Sequence, residues 1–227
     1  MAEKNSKQVR INAEFSEKAV VVPKESDWVC SPELGVDRLM LDRIGDEVAR
    51  ATSIVRYAPG SSFSRHRHDA GEEFLVLEGV FSDEHADYNV GTYVRNPPGS
   101  GHSPHSKNGC RILVKLRQFD PQDLTPVVID TTDNSAWLSP SGSVPNILEL
   151  HAFGSERVMM IRLATGQRFP IDSDPGGLEI LVISGSIVDQ GSELSAESWL
   201  RFPAGQENEL IASSDSLLWV KSGHLPS

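Results

Sequence analysis

Short apolar segments alternate with turn residues along the whole chain, and no long stretch keeps a helical period of 3.6 residues. Typical segments are 53–57, 74–77, 91–94 and 112–116, which have the length of strands and are bounded by Gly, Pro, Asp or Asn. Residues 37–50 fit a helix or strands equally well, because Gly45 interrupts the pattern. Many short strands separated by turns predict an all-β protein of the sandwich or barrel type.

The sequence also repeats itself with a constant spacing of 106 residues. The residues that match at this spacing are Gly60 and Gly166, Gly79 and Gly185, segments 94–99 and 200–205, and Lys115 and Lys221. Further upstream, Trp28 matches Trp137 and Gly45 matches Gly154 at a spacing of 109, which indicates a three-residue insertion. Self-similarity of this kind predicts a duplicated domain.

The repeat and the turn residues together predict four segments. Residues 1–22 form an N-terminal arm, residues 23–119 a first domain, residues 120–135 a linker, and residues 136–227 a second domain. The linker is placed where Pro121, Pro126 and polar residues cluster.

Composition narrows the classes of partner. The 227 residues carry a formal net charge of −11, which argues against nucleic acid or an anionic membrane surface as a partner. The chain has no apolar run long enough to span a membrane, and its polar start shows no signal peptide. Cys30 and Cys110 lie far apart without CxxC spacing, as expected of a reduced, cytoplasmic protein.

Candidate chemistry is concentrated between positions 66 and 105, which contain five of the seven histidines. His66 and His68 are two residues apart, so a strand directs both imidazoles to one face. Glu72 follows after a short turn, and His102 follows another strand. Three imidazoles and one carboxylate suit a single divalent transition metal such as Zn²⁺, Fe²⁺, Mn²⁺, Ni²⁺ or Cu²⁺.

Other residues in this region are weaker candidates. Glu73 could replace Glu72 as a ligand, His105 could line the mouth of a pocket, and His85 lies in a segment that reads as a solvated loop. Cys110 is expected in the core or a loop. Arg95 recurs as Arg201, which favours a structural role common to both repeats.

Two motifs in the first repeat resemble those of the cupins. The first is Gly60-x5-His66-x-His68-x3-Glu72-x6-Gly79, and the second is Gly91-x5-Pro97-x-Gly99-x2-His102, with Ser106 in place of the usual final Asn. The resemblance implies two tandem cupin barrels, that is, double-stranded β-helices of jelly-roll form. It also implies one metal ion held by His66, His68, Glu72 and His102.

Segment 72–116 resembles more closely the cupin domain of the ChrR family of zinc-binding anti-sigma factors. Those proteins bind a sigma factor through a separate helical domain with its own Cys/His zinc site, whereas residues 1–25 here are too short for it and contain neither Cys nor His. A sigma factor is therefore not expected as a partner, although a homodimer stays open.

Relatives of the ChrR cupins include iron dioxygenases that cleave small diketones and hydroxyaryl ketones. The resemblance thus leaves two functions open: a non-haem metal dioxygenase acting on a small carbonyl compound, or a sensor whose metal site detects an oxidant or ligand. Zn²⁺ and Fe²⁺ are the favoured metals, with Mn²⁺ and Ni²⁺ as alternatives.

The second repeat has lost this ligand set, since Asp172, Asp174, Leu178 and Asn208 stand at the equivalent positions. Leu178 cannot bind a metal. A degenerate, structural barrel is the favoured interpretation, and a hard cation such as Ca²⁺ at Asp172, Asp174 and Glu179 is the alternative.

Overall fold

The computed structural model describes residues 8–137, 145–172 and 174–226, and strands dominate it. The strands are β1 (Arg10–Ile11), β2 (Ala19–Val21), β3 (Trp28–Cys30), β4 (Val36–Ile44), β5 (Arg50–Tyr57), β6 (Ser61–Ser62), β7 (His66–Arg67), β8 (Glu72–Ser82), β9 (Asp87–Asn89), β10 (Thr92–Asn96), β11 (Gly101–His102), β12 (His105–Ser106), β13 (Cys110–Leu116), β14 (Val127–Asp130), β15 (Asn146–Phe153), β16 (Glu156–Leu163), β17 (Arg168–Ile171), β18 (Leu178–Ser184), β19 (Ser186–Asp189), β20 (Ser192–Ser195), β21 (Trp199–Phe202), β22 (Asn208–Ala212) and β23 (Ser216–Ser222). Two short 3-10 helices span Glu25–Asp27 and Asn134–Ala136. Within the described ranges, no helix has the length and apolar character needed to cross a membrane.

The chain divides into two compact units, and each is built mainly from one repeat. The first consists of the chain up to Ala13 with Asp27–Val90 and Val94–Pro126, and the second consists of Glu14–Ser26, Gly91–Tyr93 and the chain from Val127 onwards. The expectation of an all-β protein with two cupin barrels is confirmed.

The main sheet of the first unit has the strand order β1-β4-β5-β13-β8-β10, and neighbouring strands from β1 to β8 in this order pair antiparallel. Strand β13 lies between β5 and β8, and its Ile112 and Val114 face the interior. They pack with Val55, Phe74 and Val76, which are also buried. Because side chains alternate along each strand, one face of this sheet forms the barrel core.

The region 37–50, for which the sequence allowed a helix or strands, contains strand β4 and the start of β5 and no helix. Strands β4 and β5 run antiparallel and are joined through Gly45, whose φ of 121° suits glycine. The pairing register shifts by one residue between Met40 and Asp42, which marks a β-bulge in β4.

The second unit repeats this plan. One sheet has the order β15-β16-β23-β18-β21-β2, and a second has the order β17-β22-β19-β20. Its apolar core includes Ile161, Leu178, Ile180, Leu218 and Val220. Strand β2, which precedes the whole first repeat in sequence, pairs with β21 in this unit.

Equivalent glycines adopt the same backbone conformation in the two repeats, as the duplication requires. Gly79 has a φ of 71° and Gly185 a φ of 79°. A Cβ added to Gly79 would lie 2.2 Å from the carbonyl oxygen of Gly109, and one added to Gly185 would lie 2.2 Å from that of Asp215. The close backbone approach at Gly79 within β8 therefore recurs at Gly185, directly after β18.

This close approach yields a test of the fold. We expect Gly79→Ala to lower the free energy of unfolding by more than about 3 kcal/mol, because it combines a positive φ with a backbone clash. Gly60→Ala is the matched control, since Gly60 has a φ of 78° but nothing within 4 Å of an added Cβ. It should cost only about 1 kcal/mol. Urea unfolding measures both, and equal losses would contradict the close approach.

Candidate metal centre

The structure brings together the four side chains that the motifs single out. Strand β7 pairs antiparallel with β11, so that His66 and His102 are Cα partners, while His68 directly follows β7. Glu72 is the first residue of β8. One nitrogen from each histidine and one carboxylate oxygen of Glu72 all lie within 4.8 Å of one another.

Two imidazole nitrogens at this cluster are buried without a hydrogen-bond partner. They are Nε2 of His68 and Nε2 of His102, and each lies 3.4 Å from Oε2 of Glu72. A buried polar atom without a partner is unfavourable unless something absent from the protein chain satisfies it. Lone pairs from neutral imidazoles gathered around one carboxylate are the donor set that a divalent transition metal prefers.

The opposite nitrogen of each ring has a partner that fixes its orientation. Nδ1 of His66 lies 2.9 Å from the carbonyl oxygen of Ser64, which can only accept, so this nitrogen carries the proton. Nδ1 of His68 lies 3.1 Å from Oγ of Ser100. Such outer partners are typical of metal-ligating histidines because they turn Nε2 towards the ion.

Asp83 is the outer partner of His102, and the sequence did not reveal it. Its Oδ2 lies 3.1 Å from Nδ1 of His102, and its side chain is only 3% exposed although its segment reads as a solvated loop. Its Oδ1 accepts from the backbone N–H groups of His85 and Ala86. This local turn is readable in the Asp–Glu–His–Ala sequence, whereas the contact with His102 depends on the tertiary fold.

Burial governs the protonation of groups around the cluster. It lowers the pKa of His68, although the neighbouring Glu72 carboxylate acts in the opposite direction, and this favours the neutral imidazole that a metal requires. Burial also raises the pKa of Tyr57 well above its usual value, and the charge of Glu72 adds to that effect. Tyr57 therefore keeps its phenolic proton.

A cavity of about 420 Å³ adjoins the cluster in the first unit. Its lining includes His66, His68 and Glu72 together with Tyr57. The apolar side chains that line it are Val48, Ala49, Val55, Phe63, Pro104, Ile112, Val114 and Leu116. A cavity that combines an apolar wall with convergent polar groups is a common form of small-molecule site.

The weaker candidates lie outside this cluster. Glu73 faces the other side of β8, where its Oε2 accepts a hydrogen bond of 2.7 Å from Arg95. His85 and His105 are exposed. Cys110 is buried in the core, and burial raises the pKa of its thiol to about 11, which keeps it protonated and unreactive.

The equivalent positions of the second repeat do not form such a cluster. Leu178 packs in the apolar core, and Nδ2 of Asn208 donates to Asp189. Asp174 accepts from the backbone N–H of Gly176, while Glu179 lies 3.4 Å from His224 on the other face of its strand. In the part of the chain that the structure describes, Asp172, Asp174 and Glu179 do not converge as a set of cation ligands.

Solved structures resemble the chain over most of its length at low sequence identity. A Nostoc punctiforme protein with a provisional assignment as a dioxygenase has a TM-score of 0.72 and 14% identity, covering 92% of this chain and 83% of that one. The nickel(II) complex of the bacterial pirin YhhW from Escherichia coli gives 0.64 and 14%, with coverage of 92% and 100%. A mutant of salicylate 1,2-dioxygenase from Pseudoaminobacter salicylatoxidans gives 0.60 and 12%, with coverage of 76% and 70%.

Comparison with protein families is more specific than these likenesses in fold. No curated protein sequence matches the chain. The family model described as the ChrR Cupin-like domain matches it twice, at residues 16–120 and 125–226. The two matches together cover both repeats, and the chain therefore belongs to the ChrR cupin-like family as a protein with two cupin domains.

Proposed function

We propose that the first barrel binds one divalent transition metal through His66, His68, Glu72 and His102, and that the protein is a metal-dependent dioxygenase of a small carbonyl compound. The observation that carries the metal site is the pair of buried, unpartnered Nε2 atoms of His68 and His102 on either side of Glu72. A redox-active ion such as Fe²⁺ would supply Lewis acidity towards a carbonyl oxygen and activation of O₂, whereas Zn²⁺ would supply Lewis acidity alone.

The chain itself supplies binding, orientation and exclusion of water. Val55, Ile112 and Val114 give the cavity an apolar wall beside the cluster. Tyr57 lines the same cavity as a neutral phenol, so it can donate a hydrogen bond to a substrate oxygen. In the proposed reaction a C–C bond of the substrate breaks and each fragment receives one atom of O₂, so that no external reductant is needed.

The solved structures lend this function support at the level of fold. One of them is a salicylate 1,2-dioxygenase and another is a pirin that holds nickel(II). The first is a dioxygenase and the second binds a metal ion within a similar fold, although fold alone does not determine function.

A regulatory function is the second candidate, and the family match favours it. The model that matches both repeats is named for the cupin-like domain of ChrR. On this alternative the metal site would bind an oxidant or ligand, and the first barrel would signal to a partner protein. The same four ligands would serve both functions, so an assay of the reaction has to separate them.

The metal site is tested by elemental analysis of purified protein. We expect about one transition-metal ion per chain, because among the described residues only the first barrel gathers three imidazoles and a carboxylate. The double variant His66→Ala/His102→Ala should retain almost none. Asp172→Ala/Asp174→Ala is the matched control in the second barrel and should keep the full content. Undiminished metal in the histidine variant would refute the assignment.

The orienting role of Asp83 is tested by Asp83→Asn, which removes the charge that holds Nδ1–H of His102. We expect the affinity for Zn²⁺ to fall about 10- to 100-fold, as is usual for outer partners of metal-binding histidines. Competition with a chromophoric chelator measures it. Asp87→Asn is the control, because Asp87 begins the strand β9 that follows this turn and accepts a hydrogen bond from Ser82 rather than from a histidine. An equal loss in both variants would indicate a general effect on the loop.

The reaction is tested by anaerobic loading with Fe²⁺ and then exposure to O₂ with a panel of β-diketones and hydroxyaryl ketones. Oxygen uptake that depends on the substrate and falls at least about 100-fold in His102→Ala would support the dioxygenase. Labelled ¹⁸O₂ should place one labelled atom in each fragment. Absence of uptake with every compound, in protein that contains its iron, would favour the regulator instead.

A further inference from the structure

The cavity beside the histidine cluster is rich in arginine, although the protein as a whole carries a net charge of −11. The arginines that line it are Arg38, Arg43, Arg65, Arg67 and Arg117. The acidic residues that line it are Glu33, Glu47, Asp69 and Glu72. Of these acids only Glu72 is buried, and it belongs to the histidine cluster. The inner part of the cavity therefore has unbalanced positive charge.

Arg38 and Arg43 provide this inner charge, while the other three arginines are exposed. The two residues are five positions apart on β4, so a regular strand would place them on opposite faces. The bulge between Met40 and Asp42 changes this, because it pairs Arg38 with Val55 and Arg43 with Ala51. Both guanidinium groups consequently line the same cavity.

The hydrogen bonds of Arg43 go to neutral partners. Its Nε donates to the carbonyl oxygen of Gly45 at 3.0 Å, and its Nη2 donates to the carbonyl oxygen of Asp46. Within the described ranges it forms no salt bridge, although it is only 5% exposed. Burial lowers its pKa and the charge of Arg38 lowers it further, although Glu47 and Asp46 act in the opposite direction. A buried cation held by carbonyl groups alone is well placed to accept an anion.

Arg38 is also only weakly compensated. Its side chain is 18% exposed, and its salt-bridge partner is Glu47, whose carboxylate is 3.7 Å away and whose side chain is 70% exposed. An exposed partner at that distance contributes little, because water screens the pair. A carboxylate that entered the cavity could displace Glu47 from Arg38 at small cost.

Strand pairing relates these arginines to the histidine cluster. Arg43 pairs with Ala51, Ala51 with Leu116, and Leu116 with Glu72. Arg43 and Glu72 thus stand at one level of the barrel wall, three strand spacings of about 4.8 Å apart along the sheet. The side chains between them are apolar. The cavity therefore has a cationic end, an apolar middle and the histidine cluster.

From this arrangement we propose that the cavity selects a small organic acid: its carboxylate is held by Arg38 and Arg43, and its chelating oxygen atoms face the histidine cluster. The proposal deepens the proposed function by naming the charge class of the substrate, and it rests on that function for the chelating end. The cavity of about 420 Å³ suits a molecule of this size rather than a polymer.

Two probes of equal size test the charge class. 5,7-Dioxooctanoate carries a β-diketone and a remote carboxylate, whereas 5,7-dioxooctanamide replaces the carboxylate with a neutral amide. Protein loaded with Co²⁺ is titrated with each probe under argon, and the visible absorption of the ion reports binding without turnover. We expect the carboxylate to bind about 10- to 100-fold more tightly than the amide, as for a charge-assisted hydrogen-bonded pair.

The arginines are tested with the same titrations. Arg38→Met and Arg43→Met should each reduce the preference for the carboxylate about tenfold, while the affinity for the amide stays unchanged. Arg56→Met is the matched control, because Arg56 lies on β5 but pairs with Asp37 and does not line the cavity. Arg38→Met keeps the test valid if Arg43→Met fails to fold, since Arg38 contacts the turn after β4 through a 3.7 Å ion pair with the exposed Glu47.

Each outcome bears on the proposal separately from the dioxygenase reaction. Equal affinity for the two probes overturns it, as does no binding of either by protein that contains its Co²⁺. A preference that survives both arginine substitutions overturns it as well. An arginine-dependent preference without oxygen uptake by the Fe²⁺ form leaves it standing and counts against the dioxygenase. Oxygen uptake with neutral diketones, together with equal affinity for the carboxylate and amide probes, supports the dioxygenase and overturns the selection of an acid.

Discussion

Consecutive acidic residues on strand β8 must occupy two different buried environments, and the first unit depends on this constraint. Glu72 faces the barrel interior and the histidines, while Glu73 faces outward and bonds to Arg95 at 2.7 Å. Arg95 also bonds to Asp123 at 2.7 Å and lies over the ring of Phe119. A slip of one residue in the pairing of β8 would exchange the two carboxylates and leave both environments uncompensated. Because side chains alternate along β8, one pairing register places Glu72 at the histidine cluster and Glu73 at Arg95.

The two repeats differ in what they have kept of this arrangement. The buried charges recur at the spacing of 106 residues: Glu73 and Glu179, Arg95 and Arg201, and Lys115 and Lys221 are all at most 2% exposed. The histidine cluster does not recur, since Leu178 replaces Glu72 and joins an apolar core. Removing one member of a buried charge network costs several kcal/mol, about 3–5 in measured cases, whereas replacing an inward carboxylate by leucine improves apolar packing. The buried charge network is therefore more strongly constrained than the residues of the histidine cluster.

The sequence is informative where a feature depends on local spacing. The two-residue spacing of His66 and His68, the glycines at positive φ and the duplication were all readable, because period and turn chemistry are local properties. Asp83 was not, since its contact with His102 joins residues 19 positions apart through the tertiary fold. The bulge at Met40 was also hidden, and without it Arg38 and Arg43 appear to face opposite sides. Residues 37–50 stayed undecided because propensity alone does not separate helix from strand there.

Strand β2 pairs with a strand that is synthesised much later than itself. Ala19–Val21 is synthesised before the first barrel, yet its pairing partner β21 is made roughly 180 residues later, as the pairing of Val20 with Leu200 shows. Until β21 emerges from the ribosome, β2 lacks the strand with which it pairs. This sheet of the second barrel is accordingly complete only when β2 and β21 are both present. Loss of β2 would therefore leave β21 as an exposed edge in the second unit, far along the sequence from the missing segment.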